Sequence, residues 1–251
     1  MSIDLSKMPK LGFGLMRLPE KDGVIDHEHV CRMVDKYMAA GMNYFDTAYV
    51  YHGGKSEVAA REALVKRYPR DSFMIATKLP AWEIKKEEDI ERIFNEQLER
   101  AGVDYFDLYL LHSLEDGNNY NTYVKYDCFN WCMQRKAEGK IKHFGFSFHG
   151  SPELLKEVLD QHPEVEFVQI QLNQNMIIVA GTSFQTKPLL TVAISDDIVK
   201  QGNLNAGQLV KGAAKLISGG GGGQPHFAQA GGKSEDGLPA AIDFILDAIR
   251  K

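Results

Sequence analysis

The chain has 251 residues, 44% of them hydrophobic and 25% charged, with a formal charge of −5. That is enough to bury a full core, as one barrel-sized domain or two smaller ones, and it excludes a disordered chain. No basic cluster recruits nucleic acid or an anionic membrane, and no apolar stretch reaches the about 18 residues of a membrane span, so the chain reads as soluble, cytosolic and unprocessed.

Strand and helix alternate from the start. LGFGLMRL predicts a first strand, and Val30, Met33, Val34, Tyr37 and Met38 then recur at helical spacing until Gly41 stops the helix. NYFDTAYV is a second strand, and Ser56 and Glu57 open a helix through Val58, Ala59, Ala63 and Leu64. FMIATKL makes the third strand, Ile90, Ile93, Phe94 and Leu98 line the next helix, and YFDLYLLHS is the fourth strand. One helix over 123–138 leads to IKHFGFSF, and a helix over 152–159 precedes EFVQIQL. Six strands in this βα order predict a parallel, barrel-like sheet. Tyr105, Phe106, Tyr109, Phe144 and Phe146 alternate along these strands as core residues.

After Asn173 the pattern changes. QIQL passes through Asn-Gln-Asn straight into MIIVAG, which leaves room for an antiparallel turn or one long strand but for no parallel return. Beyond come TSFQTKP as a loop, LLTVAIS as a strand and an alanine-rich helix over 206–217. Five glycines follow (Gly219, Gly220, Gly221, Gly222 and Gly223), then HFAQAGG and a last helix from Leu238 with Ala241, Ile242, Ile245, Leu246 and Ile249 on one face. Cys31, Cys128 and Cys132 are odd in number and lack the further Cys or His of a metal site, so they read as reduced, partly buried thiols and no metal is expected.

Three apolar runs each end on a side chain able to move or steer a proton: YFDTAYVY on Asp46 and Tyr51, FMIATK on Lys78, and YFDLYLLH on His112. In parallel α/β sheets the carboxyl ends of the strands share one face, so these groups are expected around one substrate. Carbonyl reduction needs a proton for the developing alkoxide, and a tyrosine supplies it when an ammonium such as Lys78 favours the phenolate. Asp46 then holds the lysine, and His112 hydrogen-bonds the substrate oxygen. Singly, each has an ordinary structural role as well: a turn cap, a rim aromatic, a solvated strand end or a satisfied polar residue.

With LGFGLMRL, the segment DTAYVYHGGKSE, the TK, LLHS and GFSFHG strand ends and QIQLN resemble the aldo-keto reductases over about residues 8–173. The resemblance implies a (β/α) TIM-type barrel, NADPH as cofactor and a small carbonyl substrate. It implies Asp46, Tyr51, Lys78 and His112 as the catalytic tetrad and Ser147 and Gln169 as nicotinamide contacts. Many relatives carry Asn after that serine; here Phe148 and His149 follow it.

VAISDDIVKQGNLNAGQLVKGAAKLISGGGGGQPHFAQAGG resembles instead the carboxyl-terminal domain of bacterial alanyl-tRNA synthetases, over about residues 176–251. In that family the module helps to hold tRNA. Over 176–251 the seven Lys and Arg barely exceed the six Asp and Glu, which is a feeble lure for RNA. The glycine run is either a flexible or tight connection or a nest of amides for a phosphate.

The expected organisation is therefore a partial barrel of six parallel strands over 1–173, continued over 174–251 by a small α/β segment that completes or covers the open sheet. Two families joined at a strand boundary without a Pro, Ser or acidic linker predict an artificial fusion. The loops after strands seven and eight, where such barrels commonly hold phosphates, are missing, so NADPH is expected to bind weakly and turnover to be slight. A working NADPH-dependent carbonyl reductase and a tRNA-binding module are the alternatives.

Overall fold

The computed structural model describes residues 8–9, 11–115, 117–170, 176–184, 186–202 and 204–250. The chain divides into two compact units, Met1–Ile170 and Gln171–Lys251. The Asn-Gln-Asn link, and with it the boundary at 173, lies outside the described residues.

In the first unit, β1 (Phe13–Gly14), β4 (Tyr44–Asp46), β5 (Met74–Pro80), β6 (Phe106–Leu114), β7 (Ile141–Phe148) and β8 (Phe167–Ile170) form one six-stranded sheet in that order. Every neighbouring pair is parallel. Crossovers carry α1 (His27–Ala39), α2 (Ser56–Ala60, continued by a π-helical turn over Arg61–Val65), α3 (Glu88–Ala101), α4 (Asn118–Lys125), α5 (Cys128–Ala137) and α6 (Pro152–Gln161). The starts of α1 and α6 are capped by Asp26 and Ser151, which accept from the amides of His29 and Leu154.

The sheet is curled. Asp46 on β4 and Gln169 on β8 stand four strand spacings apart, about 19 Å on a flat sheet, yet their side chains are 3.3 Å apart. The outward residues Phe45, Ile75, Tyr109, Leu111, Phe144 and Phe146 pack with Val34, Ala63, Ile93, Phe94, Phe129 and Val158 from the helices. The inward residues Met74, Ala76, Leu108 and Leu110 form a separate small cluster.

Several elements differ from the sequence expectation. The first strand shrinks to two residues, and the chain then makes a hairpin of β2 (Glu20–Lys21) and β3 (Val24–Ile25). Asp22 and Gly23 both take positive φ there, the geometry of a two-residue hairpin turn. The single helix expected over 123–138 is two, α4 and α5, broken where Asp127 turns to φ +50. Tyr105 is only half-buried, stacked by Arg70 at 3.9 Å and Lys142 at 4.5 Å.

The second unit has a sheet of its own. β9 (Ile177–Phe184), β10 (Lys187–Ile194), β11 (Gly220–Gly223) and β12 (Phe227–Gly231) pair antiparallel in the order β11-β12-β10-β9. Its helices are α7 (Asp196–Lys200), α8 (Ala206–Ala213) and α9 (Leu238–Ile249). Leu190, Val192, Ile194, Ala228 and Ala230 pack against Leu209, Val210, Ala213, Ala241 and Ile245 as a second core. TSFQTKP is thus no loop: its ends belong to paired strands, and Thr186 takes φ +63 between them.

The glycine run is a strand. A Cβ on Gly221 would stand 2.3 Å from the Gln229 carbonyl oxygen, and one on Gly223 would stand 2.3 Å from that of Phe227, whereas Gly220 faces open space. Alternate glycines therefore let β11 lie against β12. Gly221→Ala is expected to destabilise the second unit by about 1–3 kcal/mol through overpacking, and Gly220→Ala to leave it within about 0.5 kcal/mol. Urea unfolding of the two variants measures this; equal midpoints would contradict the packing.

Candidate functional site

A strand sends alternate side chains to opposite faces, and that period places the site. On β5 the inward row runs Met74, Ala76, Lys78, and on β6 it runs Leu108, Leu110, His112. Asp46 ends β4 in the same way, and Ser147 and Gln169 stand side by side on β7 and β8. The apolar inner floor thus gives way to polar groups at the carboxyl end of each strand.

Lys78 is 1% exposed, and its ammonium is met by three oxygens. Its Nζ donates to Asp46 Oδ1 at 2.6 Å, to the Thr47 carbonyl at 2.8 Å and to the Tyr51 hydroxyl at 3.2 Å. Tyr51 comes from the turn after β4, where His52, Gly53 and Gly54 all take positive φ, a tight reversal that the two glycines make easy. His52 secures that turn by accepting from the Leu18 amide at 2.8 Å. The second Asp46 oxygen accepts from Tyr44 and Gln169, each at 3.3 Å. Burial, with the Asp46 charge behind it, raises the Tyr44 hydroxyl above its ordinary range, so it stays a donor.

His112 lies edge-on to Tyr51, ring centres 5.7 Å apart, and 5.1 Å from the indole of Trp82. Burial, then the charges of Lys78 and His149, lower its imidazole to about 3. The ring is therefore neutral at pH 7, with one N–H to offer, and its buried Nδ1 has no hydrogen-bond partner among the described residues. Ser147 Oγ accepts from the Ser113 amide at 2.7 Å, where Ser113 takes φ +57 beside a register shift between β6 and β7.

Behind Lys78 lies a buried polar layer. Gln97 donates to the Lys78 carbonyl at 3.0 Å and to Glu57 at 3.1 Å, while Thr77 donates to Glu57 at 2.6 Å. Burial pushes the Glu57 carboxyl up to about 7, against the pull of Thr77, Gln97 and the Arg100 guanidinium 3.8 Å away.

The structure thus gathers Asp46, Tyr51, Lys78 and His112 in contact, with Gln169 on Asp46 and Ser147 one strand away. Gly219, Gly220, Gly221, Gly222 and Gly223, the glycines of the suggested phosphate nest, belong to the second unit. They run along β12 with no positive φ among them, and a nest needs left-handed residues in alternation. Cys128 and Cys132 are fully buried thiols on α5. Sequence reasoning missed Trp82, although an aromatic four residues past Lys78 at a strand end was a visible signal. It also missed the Glu57 and Gln97 layer, which lies on helices and carries no local motif.

The description Aldo/keto reductase family matches residues 10–210. Among solved structures, a thermostable aldo-keto reductase in complex with the inhibitor epalrestat superposes with a TM-score of 0.54 at 23% identity, over 67% of this chain and 60% of that one. An aldo-keto reductase from Bacillus halodurans (holo form) gives 0.52 at 27% identity, over 65% and 53%. One from Klebsiella pneumoniae in complex with NADPH gives 0.50 at 23%, over 64% and 53%. Shorter stretches match alanine–tRNA ligases: that of Bacteroides fragilis is 60% identical over 77 residues, and that of Chloroflexus aurantiacus 40% over 116. These are 31% and 44% of this chain but only 9% and 12% of the ligases. The chain is thus a chimera of an aldo-keto reductase portion and a ligase-like portion, and it spans about half the length of the reductases.

Two outcomes are expected. By NMR, the His112 ring signals stay constant from pH 5 to pH 8, and an inflection near the ordinary 6.5 would contradict its burial. For Glu57, the unfolded carboxyl ionises from its ordinary 4.5 while the folded one holds its proton up to about 7, so stability falls as pH rises between them. The loss totals about 3 kcal/mol, and Glu57→Gln removes it; a variant whose urea midpoints still track the parent from pH 4.5 to 8 would contradict this.

Proposed function

Because the chain belongs to the aldo/keto reductase family over residues 10–210, we propose that its first unit keeps a proton-donating site for small carbonyl compounds but grips NADPH too weakly for appreciable turnover. The observation that carries the proton half is the Lys78 contact to Tyr51. An ammonium 3.2 Å from the phenol oxygen favours the negative charge left when the phenol gives up its proton. Asp46 and the Thr47 carbonyl hold that ammonium in place. A neutral His112 offers its N–H to the same carbonyl oxygen.

The cofactor half fits poorly. In (β/α)₈ enzymes phosphates commonly bind in the loops after strands seven and eight. Among the described residues the parallel sheet ends at β8, and the strands that follow are antiparallel. At the nicotinamide end, Gln169 donates to Asp46 and Ser147 accepts from Ser113, so each has part of its hydrogen-bonding capacity engaged. Hydride delivery tolerates little misplacement.

A direct junction of two family portions fits an artificial fusion, and three unpaired cysteines fit a reducing, cytosolic setting. The near-balanced charge over 176–251 argues against tRNA as a partner. Titration of NADPH against the purified chain, followed by cofactor fluorescence, tests the reading: no saturation below millimolar is expected, and no aldehyde-dependent oxidation. Saturable micromolar binding, with turnover that Tyr51→Phe lowers about 100-fold or more, would establish a working carbonyl reductase instead.

A further inference from the structure

We propose that Tyr123 is a positioning residue of this site, whose hydroxyl ties the ends of β5 and β6 together and so sets the His112 ring between Tyr51 and Trp82.

The need for such a tie begins with Pro80. It closes β5 opposite His112 and has no amide N–H, so the parallel ladder stops there. The chain then turns from Ala81 into a short 3₁₀ segment, Ala81–Glu83, that carries Trp82. Where the strands part, the carbonyls of Leu79 and His112 and the amide of Ala81 need other partners, since leaving buried backbone groups unpaired is costly.

One hydroxyl meets all three. Tyr123, on α4 and fully buried, places its oxygen 2.7 Å from the Leu79 carbonyl, 2.8 Å from the His112 carbonyl and 3.0 Å from the Ala81 amide. It accepts from Ala81, and its single hydrogen serves the two carbonyls. Leu79 directly follows Lys78, and Ala81 directly precedes Trp82. The phenol therefore fixes the backbone of His112 and the backbone next to Lys78 and Trp82. It touches none of the reacting groups, and its part is to hold their geometry.

The meaning for catalysis rests on the proton-donating reading above, but the test needs no turnover, so the two fail separately. In Tyr123→Phe the ring still fills its place while the tie is lost. The expected result by NMR is displaced His112 ring signals, a weakened nuclear Overhauser contact between His112 and Trp82, and an upward move of the His112 inflection by about one pH unit or more as water reaches the parted strand ends. Lys78, His149 and Tyr51 are the titratable groups around that imidazole and stay in place in the variant.

Tyr120→Phe is the control. Tyr120 lies on the same helix and donates to Gln161 at 2.9 Å, away from the strand ends, so its loss leaves the His112 signals as they are. His112 signals unmoved in Tyr123→Phe, or moved equally in Tyr120→Phe, would overturn the proposal. Should Tyr123→Phe fail to fold, hydrogen exchange in the unaltered chain decides. A slowly exchanging Ala81 amide supports the tie, and one exchanging as fast as an exposed turn refutes it.

Discussion

A lysine ammonium taken out of water is tolerated only with oxygens around it, and the placing of Lys78 among three of them is the constraint on which the first unit turns. The desolvation of such a group costs several kcal/mol, regained only with good geometry. Asp46, the Thr47 carbonyl and Tyr51 all come from the end of β4 and the turn beyond it. The ion pair thus fixes how that turn leaves the sheet. Gln97 holds the same residue from behind through its carbonyl, so Lys78 is secured on both sides of its strand. A site made this way is part of the packing, which is why it stays assembled in a sheet that stops at six strands.

On the reading proposed above, the chimera separates two things that a whole barrel joins. Proton handling depends on β4, β5 and β6, which lie in the interior of the sheet and are paired on both sides. Holding a long anionic cofactor depends on loops that come later in the chain of a complete barrel. The replacement segment solves a different problem, closing its own core of Leu190, Val192, Val210 and Ile245 with antiparallel strands.

Much of this was legible in the residues, and what was not has physical reasons. β5 and β6 are largely apolar, so their strands, and Lys78 and His112 near their ends, stood out. Ser113 and Asp127 take positive φ without being glycine, and neither the bulge on β6 nor the break between α4 and α5 leaves a mark in hydrophobic periodicity. Asp46, Lys78 and His112 were readable because each lies at or near the carboxyl end of a strand, and Tyr51 because it follows β4 closely. The Glu57, Gln97 and Tyr123 hydrogen bonds were not, because they join residues 11 to 44 positions apart whose polarity looks ordinary in sequence. The glycine run misled for the opposite reason. Composition suggests freedom, yet here glycine is required by closeness, since a side chain at alternate positions would strike the neighbouring backbone.

That strand has one more consequence. β11 is a border of its sheet and offers no side chain of its own, so main-chain pairing with β12 and the packing of α8, with Gly207 close to the Gly223 carbonyl, keep it ordered. Glycine gives up more freedom than any other residue when it is fixed. The second unit's sheet should therefore fray from this side, with β12 and β10 outlasting the ribbon that lies against them.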